Sequence, residues 1–329
     1  RRAKARRGAD ARGPLADRRM RIFLAGATGV IGRRLTPMLV AAGHEVVGTT
    51  RSPEKARSLR DAGAEPVIVD ALDAQALKAA VLAARPEAVI HQLTSLPARI
   101  DPRKIKRDFA VNDRLRSVGT RDLVAAAQAA GAGRFIAQSI SFAYAPGEPG
   151  TLHSESDPLH CEAPEPFRRS ARALHELECA VRNIQGTVLR YGYFYGPGTS
   201  ISENGSIVED LRRRRMPVVG AGGGVWSFIH IDDAARATLA ALERENFGIY
   251  NIVDDDPAPV AQWLPALAQA VGAPRPLRVP ALIARLGAGS YGVSVMTKAQ
   301  GASNRLVKET LGWKPEIPSW REGFRAALG

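Results

Sequence analysis

Where the first apolar run ends, the chain reads Gly26-Ala27-Thr28-Gly29-Val30-Ile31-Gly32. Three glycines at this spacing do one kind of chemistry well: they hold an anion on backbone amides. Gly26 permits a tight turn, Gly29 lets a pyrophosphate reach the main chain, and Gly32 lets a helix pack against the strand before it. The N–H groups around Thr28, Val30 and Ile31 then face that anion at the positive end of a helix dipole. A glycine triplet alone is weak, but this one follows a strand, opens a helix and begins a βαβ array, which is the context of a dinucleotide site. The end of the second strand selects the cofactor. A NAD site wants a carboxylate about 20 residues further on; here the chain reads Gly48-Thr49-Thr50-Arg51-Ser52. Arg51, helped by Arg33, suits a 2′-phosphate, so NADP is the expected cofactor and NAD the alternative.

Other side chains could meet a substrate. Tyr193 and Tyr195 flank Phe194, and a spacing of two puts both rings on one face of an extended segment. Trp226 joins them at the substrate face, after the run Gly220-Ala221-Gly222-Gly223-Gly224, which reads as a flap over substrate or as a plain glycine-rich hairpin. Among the histidines, His91 ends a strand near the glycine turn, His175 lies on a helix, and His230 precedes Asp232 and Asp233 as a link between lobes. No grouping of His, Asp and Glu has ligand spacing, so no metal is expected.

These residues need a frame. Short β-branched runs alternate with Ala/Leu-rich runs from Arg21 onward. The pattern predicts strands over 21–26, 44–50, 66–70, 88–93, 134–139 and 187–192. It predicts helices over 31–43, 53–63, 74–84, 108–131 and 170–183. Continuous apolar strands joined by right-handed helical crossovers make an α/β fold, a doubly wound parallel sheet of Rossmann type. Beyond residue 199 the order loosens, with a helix over 233–243 and a strand over 248–253. The uncharged stretch from Pro257 to Pro274 reads as a surface helix with irregular ends. The expected organisation is a disordered basic tail over 1–19, a dinucleotide-binding domain over 20–198, and a smaller substrate lobe over 199–329 that returns elements to the sheet.

Composition excludes several classes. With 45% apolar and 24% charged residues in 329, the chain is of globular type and can bury a core without disulfides or metal. Its two cysteines, Cys161 and Cys179, have no paired spacing, which points to a reducing cytoplasm. The net charge of +13 invites a nucleic-acid reading, but residues 1–19 hold eight basic and two acidic residues. Elsewhere the excess is nearly all arginine, a bias of codon composition rather than of phosphate contacts. No nucleic-acid partner is expected, and no stretch is long and apolar enough for a membrane.

Several motifs, in order, resemble the extended short-chain dehydrogenases/reductases, the NAD(P)-dependent epimerase/dehydratase family. They are GATGVIG (26–32), VIVDALD (67–73), VIHQLTSL (89–96), RYGYFYGPG (190–198), SFIHIDDAARA (227–237) and YNIVDDD (250–256). The resemblance covers about 20–329. It implies that Asp70 and Ala71 lie at the adenine, that Leu93 and Thr94 lie beside the diphosphate and nicotinamide ribose, and that Asn112, Gly119 and Thr120 belong to the family's N…GT helix. A homodimer through helices 108–131 and 170–183 is a further family expectation.

The family's acid–base signature, Y-x-x-x-K with a Glu four residues on, is absent: none of the six tyrosines has a lysine four residues later. Registering on Glu176 puts Arg168 and Arg172 at the two positions; registering on Glu178 puts Ser170 and Leu174 there. Arg172 can bind ribose hydroxyls but cannot transfer a proton. The resemblance places a catalytic Ser/Thr after the fifth strand, where Ser139 and Ser141 flank Ile140 and Tyr144 follows. The implied activity is an NADP-dependent oxidoreductase of atypical type, working at a carbonyl or hydroxyl carbon of a small molecule between the lobes. A sugar-nucleotide epimerase or dehydratase, and a non-catalytic dinucleotide sensor or scaffold, are the alternatives.

Overall fold

A computed structural model describes residues 18–101, 104–244 and 246–328. The tail expected over 1–19 therefore lies almost wholly outside the described residues. Its last two members are described: Arg18 pairs with Glu87, and Arg19 with Glu45 at 2.7 Å.

The first half alternates strand and helix as the pattern requires. It runs β1 (Arg21–Ala25), α1 (Val30–Ala41), β2 (Glu45–Thr50), α2 (Pro53–Asp61), β3 (Glu65–Ile68), α3 (Ala74–Ala84) and β4 (Ala88–His91). Local chemistry sets the helix ends. Ser52 caps α2 by accepting from the Lys55 amide, with Pro53 in the first turn, and Asp73 caps α3 by accepting from Ala76 at 3.0 Å. Next come α4 (Ile105–Asp108), α5 (Ala110–Arg114), a π-helical turn (Leu115–Gly119), α6 (Thr120–Ala129), β5 (Arg134–Ile140), α7 (Phe167–Asn183) and β6 (Thr187–Tyr191). The single helix expected over 108–131 is thus divided. The π turn inserts an extra residue per turn and re-aims the side chains on either side of it, a device common at functional sites.

The remainder comprises β7 (Tyr193–Tyr195), α8 (Ser206–Arg212), β8 (Val218–Val219), β9 (Val225–Trp226), β10 (Phe228–His230), α9 (Ile231–Glu243) and β11 (Gly248–Ile252). Beyond these lie β12 (Ala258–Pro259), α10 (Val260–Ala270), β13 (Arg278–Val279), α11 (Ala281–Lys298), α12 (Arg305–Leu311) and α13 (Trp320–Leu328). The main sheet has seven strands in the order β11-β6-β5-β4-β1-β2-β3, every neighbouring pair parallel. Strand order reverses between β1 and β4, which opens a crevice at their carboxyl ends, the usual ligand position of such sheets.

Alternation along each strand divides the core. Ile22 and Leu24 of β1 pack with Leu35 and Leu39 of α1 on one face, while Phe23 and Ala25 meet Leu77, Val81 and Leu123 on the other. The later elements form a core of their own around Trp263, Trp320, Phe228 and Phe324. This corrects the expectation of a surface helix after Pro257. Trp263 and Leu264 of α10 are wholly buried, so an uncharged sequence here marked a core helix. The glycine run at 220–224 is also tied down: Gly224 donates to the Met296 carbonyl at 3.1 Å, and the Val260 amide donates to Gly224 at 2.9 Å. Its positive-φ members, Gly220 and Gly222, make a packed turn rather than a flap.

Candidate active site

The glycine turn forms the floor of the crevice. Gly26 adopts φ of 91°, and a Cβ there would stand 2.6 Å from the Gln92 carbonyl oxygen on the loop after β4. A Cβ on Gly32 would fall 2.4 Å from the Gly26 carbonyl oxygen, so helix and turn touch backbone to backbone. Gly29 is the N-cap of α1, in extended conformation and with no side-chain cap, which leaves the amides of Val30, Ile31 and Gly32 without an intrahelical acceptor. Thr49 accepts from the Gly26 amide at 2.9 Å, and Thr28 lies 3.4 Å from the Thr50 hydroxyl, so β2 fixes the turn from the side. Free amides, a positive helix end and no room for a side chain together fit the diphosphate of a dinucleotide.

The flanking positions gather around this floor. Arg51 is exposed at the end of β2 and makes no ion pair among the described residues, while Glu54, the nearest carboxylate in sequence, is bonded to the Ser52 hydroxyl at 2.8 Å. Arg33 reaches towards Gly198, whose Cβ would lie 3.4 Å from its guanidinium. The Asp70 carboxylate accepts from the Leu72 amide at 3.0 Å, and buried Ala71 lies against Gly119. On the β4 side, Leu93 donates its amide to His91 Nδ1 at 3.2 Å, Thr94 is exposed, and Ser95 donates its amide to Asn112 Oδ1 at 3.1 Å. His91 is sealed in the core. Because Nδ1 accepts, Nε2 carries the proton and donates to Thr120 Oγ at 2.9 Å. Burial, reinforced by the nearby Arg116 charge, pushes its pKa down to about 4, so it is a neutral positioning residue.

The acid–base candidates divide sharply. Ser139 donates to Glu178 at 2.7 Å, and Arg190 grips the same carboxylate through two nitrogens at 2.9 and 2.6 Å. That buried pair joins α7 to β6 and leaves the Ser139 hydroxyl engaged inside the fold. Tyr144 is engaged likewise. It donates to Asn251 at 2.6 Å, stacks on His153, and lies under the Arg190 guanidinium, while burial raises its pKa to about 12. Arg172 turns away to Glu162 at 2.7 Å and the Cys161 carbonyl. Ser141 differs: its hydroxyl has no partner among the described residues and is not sealed, so it is an open hydroxyl at the carboxyl end of β5. On α7, Ser170 and Leu174, two turns and one turn before Glu178, are both buried.

Beyond β5 stands an aromatic wall. Tyr193 lies between Phe142 and Trp226, with ring centres 4.1 and 3.8 Å apart and planes within 15°. Phe167, at the start of α7, stacks on Tyr291 of α11 at 4.6 Å. Burial, then the neighbouring Tyr291 phenol, drives the Tyr193 pKa well above its usual value, and neither hydroxyl has a hydrogen-bond partner among the described residues. Tyr195 is not part of this wall. It is buried against Phe324 and His230, where a Cβ on Gly323 would approach within 2.3 Å. Both tyrosines of β7 do share a face, but Tyr195 enters the second core. Phe142, Phe167, Tyr291 and Arg116 were not singled out from sequence, because single aromatics or cations in helices carry no periodic signal. His230 caps α9 by accepting from the Asp232 amide, and no metal-binding group of His, Cys, Asp and Glu occurs among the described residues.

The model of the NAD dependent epimerase/dehydratase family matches residues 22–253. The chain belongs to this family. A 3-diazoavenalumate denitrifying reductase of Streptomyces sp. is 46% identical over 309 residues, covering 93% of this chain and 99% of that one. A 2-alkyl-3-oxoalkanoate reductase of Stenotrophomonas maltophilia is 28% identical over 276 residues, with 78% and 77% covered. Among solved structures, a dTDP-glucose 4,6-dehydratase from Streptomyces venezuelae with NAD bound superposes with a TM-score of 0.74 at 21% identity, covering 94% and 96% of the two chains. The protein is an NAD(P)-dependent oxidoreductase acting on a small molecule. No helix among the described residues is long and apolar enough to cross a membrane.

Proposed function

We propose that this reductase delivers hydride to an aromatic diazo compound, with NADPH as donor. One observation carries the reading: the sequence holds no Y-x-x-x-K, the pair that would give a substrate oxygen its proton. Counted from Glu178, which pairs with Arg190, the two signature positions hold buried Ser170 and Leu174; counted from Glu176 they hold Arg168 and Arg172, and neither register supplies a phenol. A ketone that accepts hydride becomes an alkoxide and needs a proton from a positioned acid. An arenediazonium needs none: the hydride pair forms the carbon–hydrogen bond, the carbon–nitrogen pair leaves with dinitrogen, and the charges cancel. The printed name of the 46% identical relative, a diazo substrate and a denitrifying reduction, supports the same class. Reduced nicotinamide supplies the hydride when bound. The chain's own residues do the rest: the amides of Val30 to Gly32 hold the diphosphate, Asp70 and Ala71 the adenine end, and Leu93 and Thr94 the nicotinamide half. Phe142, backed on one face by Tyr193 and then Trp226, gives a flat surface for an aryl ring and excludes water beside it. Ser141 is the polar group within the cleft that can orient a substrate oxygen.

The preference for NADPH rests on Arg51, which has no ion pair among the described residues at the end of β2, where the sequence has no carboxylate to hold a ribose hydroxyl. Cytoplasmic location is supported by Cys161 and Cys179, neither in a disulfide. The homodimer through α6 and α7 is assigned on family resemblance, and sedimentation velocity tests it. To test the function, the protein and NADPH are mixed with a hydroxyarenediazonium or with a panel of aldehydes and ketones. Cofactor loss at 340 nm and dinitrogen by mass spectrometry are followed together. Oxidation coupled one-to-one to dinitrogen with the diazonium, and slow or no turnover of the carbonyls, is expected. The reverse order would replace this substrate class with a carbonyl, and no oxidation at all would leave the sensor reading.

A further inference from the structure

Arg116 lies in the π-helical turn between α5 and α6 and is 5% exposed. It makes no hydrogen bond, ion pair or ring contact among the described residues. Asp113, half-buried one turn earlier, is the opposite charge that acts on it, and no ion pair joins the two. A buried guanidinium with five unmatched donors is costly, because a charge removed from water normally takes a partner with it. Arg116 is not sealed, since its nitrogens are absent from the enclosed, unpartnered atoms, so it faces an opening.

Its neighbours say which opening. Asn112, Arg116 and Thr120 follow one another at intervals of four, all buried, and so share one face of the helix. Asn112 accepts from the Ser95 amide, and Thr120 is bonded to His91. These contacts bracket the loop after β4, and the Arg116 charge acts on His91, at the end of that strand.

We propose that Arg116 is a cofactor-binding residue, its guanidinium bonding the ribose and phosphate oxygens of the nicotinamide half of the dinucleotide. It brings a cation to the crevice from the helix facing α7, where Leu174 offers none. The inference rests on the NAD(P)-dependent reading of the site and adds a residue to it. The depressed pKa of Arg116, about 10 through burial, agrees with a charge that lacks a partner in the free protein.

The test uses the full chain without substrate. NADPH is titrated against wild type, Arg116→Gln and Arg116→Lys by tryptophan fluorescence, beside adenosine 2′,5′-bisphosphate, which carries only the adenine half. Arg116→Gln is expected to weaken NADPH about ten- to hundredfold, as loss of a charged hydrogen bond does. Binding of the bisphosphate stays within about twofold, and Arg116→Lys recovers part of the NADPH affinity. Melting without ligand should match or exceed wild type, because the variant removes an unpaired buried charge. Equal NADPH binding, equal weakening of both ligands, or a lower melting temperature without ligand would overturn the assignment. Wild-type protein that fails to bind NADPH would overturn the cofactor reading itself, a separate outcome.

Discussion

The pair Gly29→Ala and Gly32→Ala separates anion binding from packing within four residues. Gly29 has an ordinary φ of −72°, and an added Cβ would meet only the Gly26 carbonyl oxygen, at 3.2 Å. The methyl needs a shift of a few tenths of an ångström, and alanine also narrows the unfolded ensemble, an offset of about 0.4–1 kcal/mol. The melting temperature should therefore move by no more than about 2–4 °C, the usual response of a large domain to 1 kcal/mol. The same methyl stands where the diphosphate must approach the α1 amides, so NADPH affinity should fall at least about tenfold, or 1.4 kcal/mol. Gly32→Ala differs, because its Cβ would lie 2.4, 2.5 and 2.6 Å from backbone atoms of Gly26 and Ala27. Relieving that clash means moving α1 off β1, at a cost of about 1–3 kcal/mol or more. Thermal melts with and without NADPH, together with titration calorimetry, read both effects. Gly29→Ala that binds NADPH like wild type, or that melts as low as Gly32→Ala, would refute the reasoning.

Other expectations follow from the site. His91 has a folded pKa near 4 against an ordinary value of 6.5, so its neutral form stabilises the fold fully above pH 6.5 and that contribution is lost as pH falls towards 4. Urea melts should show up to about 3 kcal/mol lost over that window, with a shallower slope in His91→Gln. Glu178→Leu leaves Arg190 buried without its carboxylate and should destabilise by about 3–5 kcal/mol, whereas Glu178→Leu with Arg190→Met should recover much of the loss. Phe in place of Tyr193 removes a hydroxyl that has no hydrogen-bond partner among the described residues, so stability should hold while KM for a phenolic substrate rises.

The sheet was legible because buried parallel strands and amphipathic helices leave period-specific traces: α3 has its predicted bounds, and β5 differs by one residue. The glycine turn was legible for the same local reason, since Gly26 and Gly32 answer to backbone contacts within the motif and the adjoining loop. What sequence concealed depends on distant partners. Ser139 and Tyr144 stood at attractive positions, yet Glu178 and Asn251, 39 and 107 residues away, take their hydroxyls. Tyr195 shares a strand face with Tyr193, but α13 covers one ring and leaves the other against Trp226. The uncharged 257–274 stretch was ambiguous because a core helix and an irregular surface helix are both apolar when proline interrupts the pattern. Arg116 was invisible because a lone arginine in an arginine-rich chain carries no signal until its burial and lack of partners are seen.

The central claim is that hydride reaches the substrate without a proton from the protein. Its most direct measurement is the isotopic composition of the arene formed from an arenediazonium. NADPH deuterated at the transferable position in ordinary water should give arene with one deuterium at the former diazo carbon, and unlabelled NADPH in heavy water should give none there. Deuterium entering that carbon from solvent, or arene formed without matching oxidation of NADPH, would contradict the account.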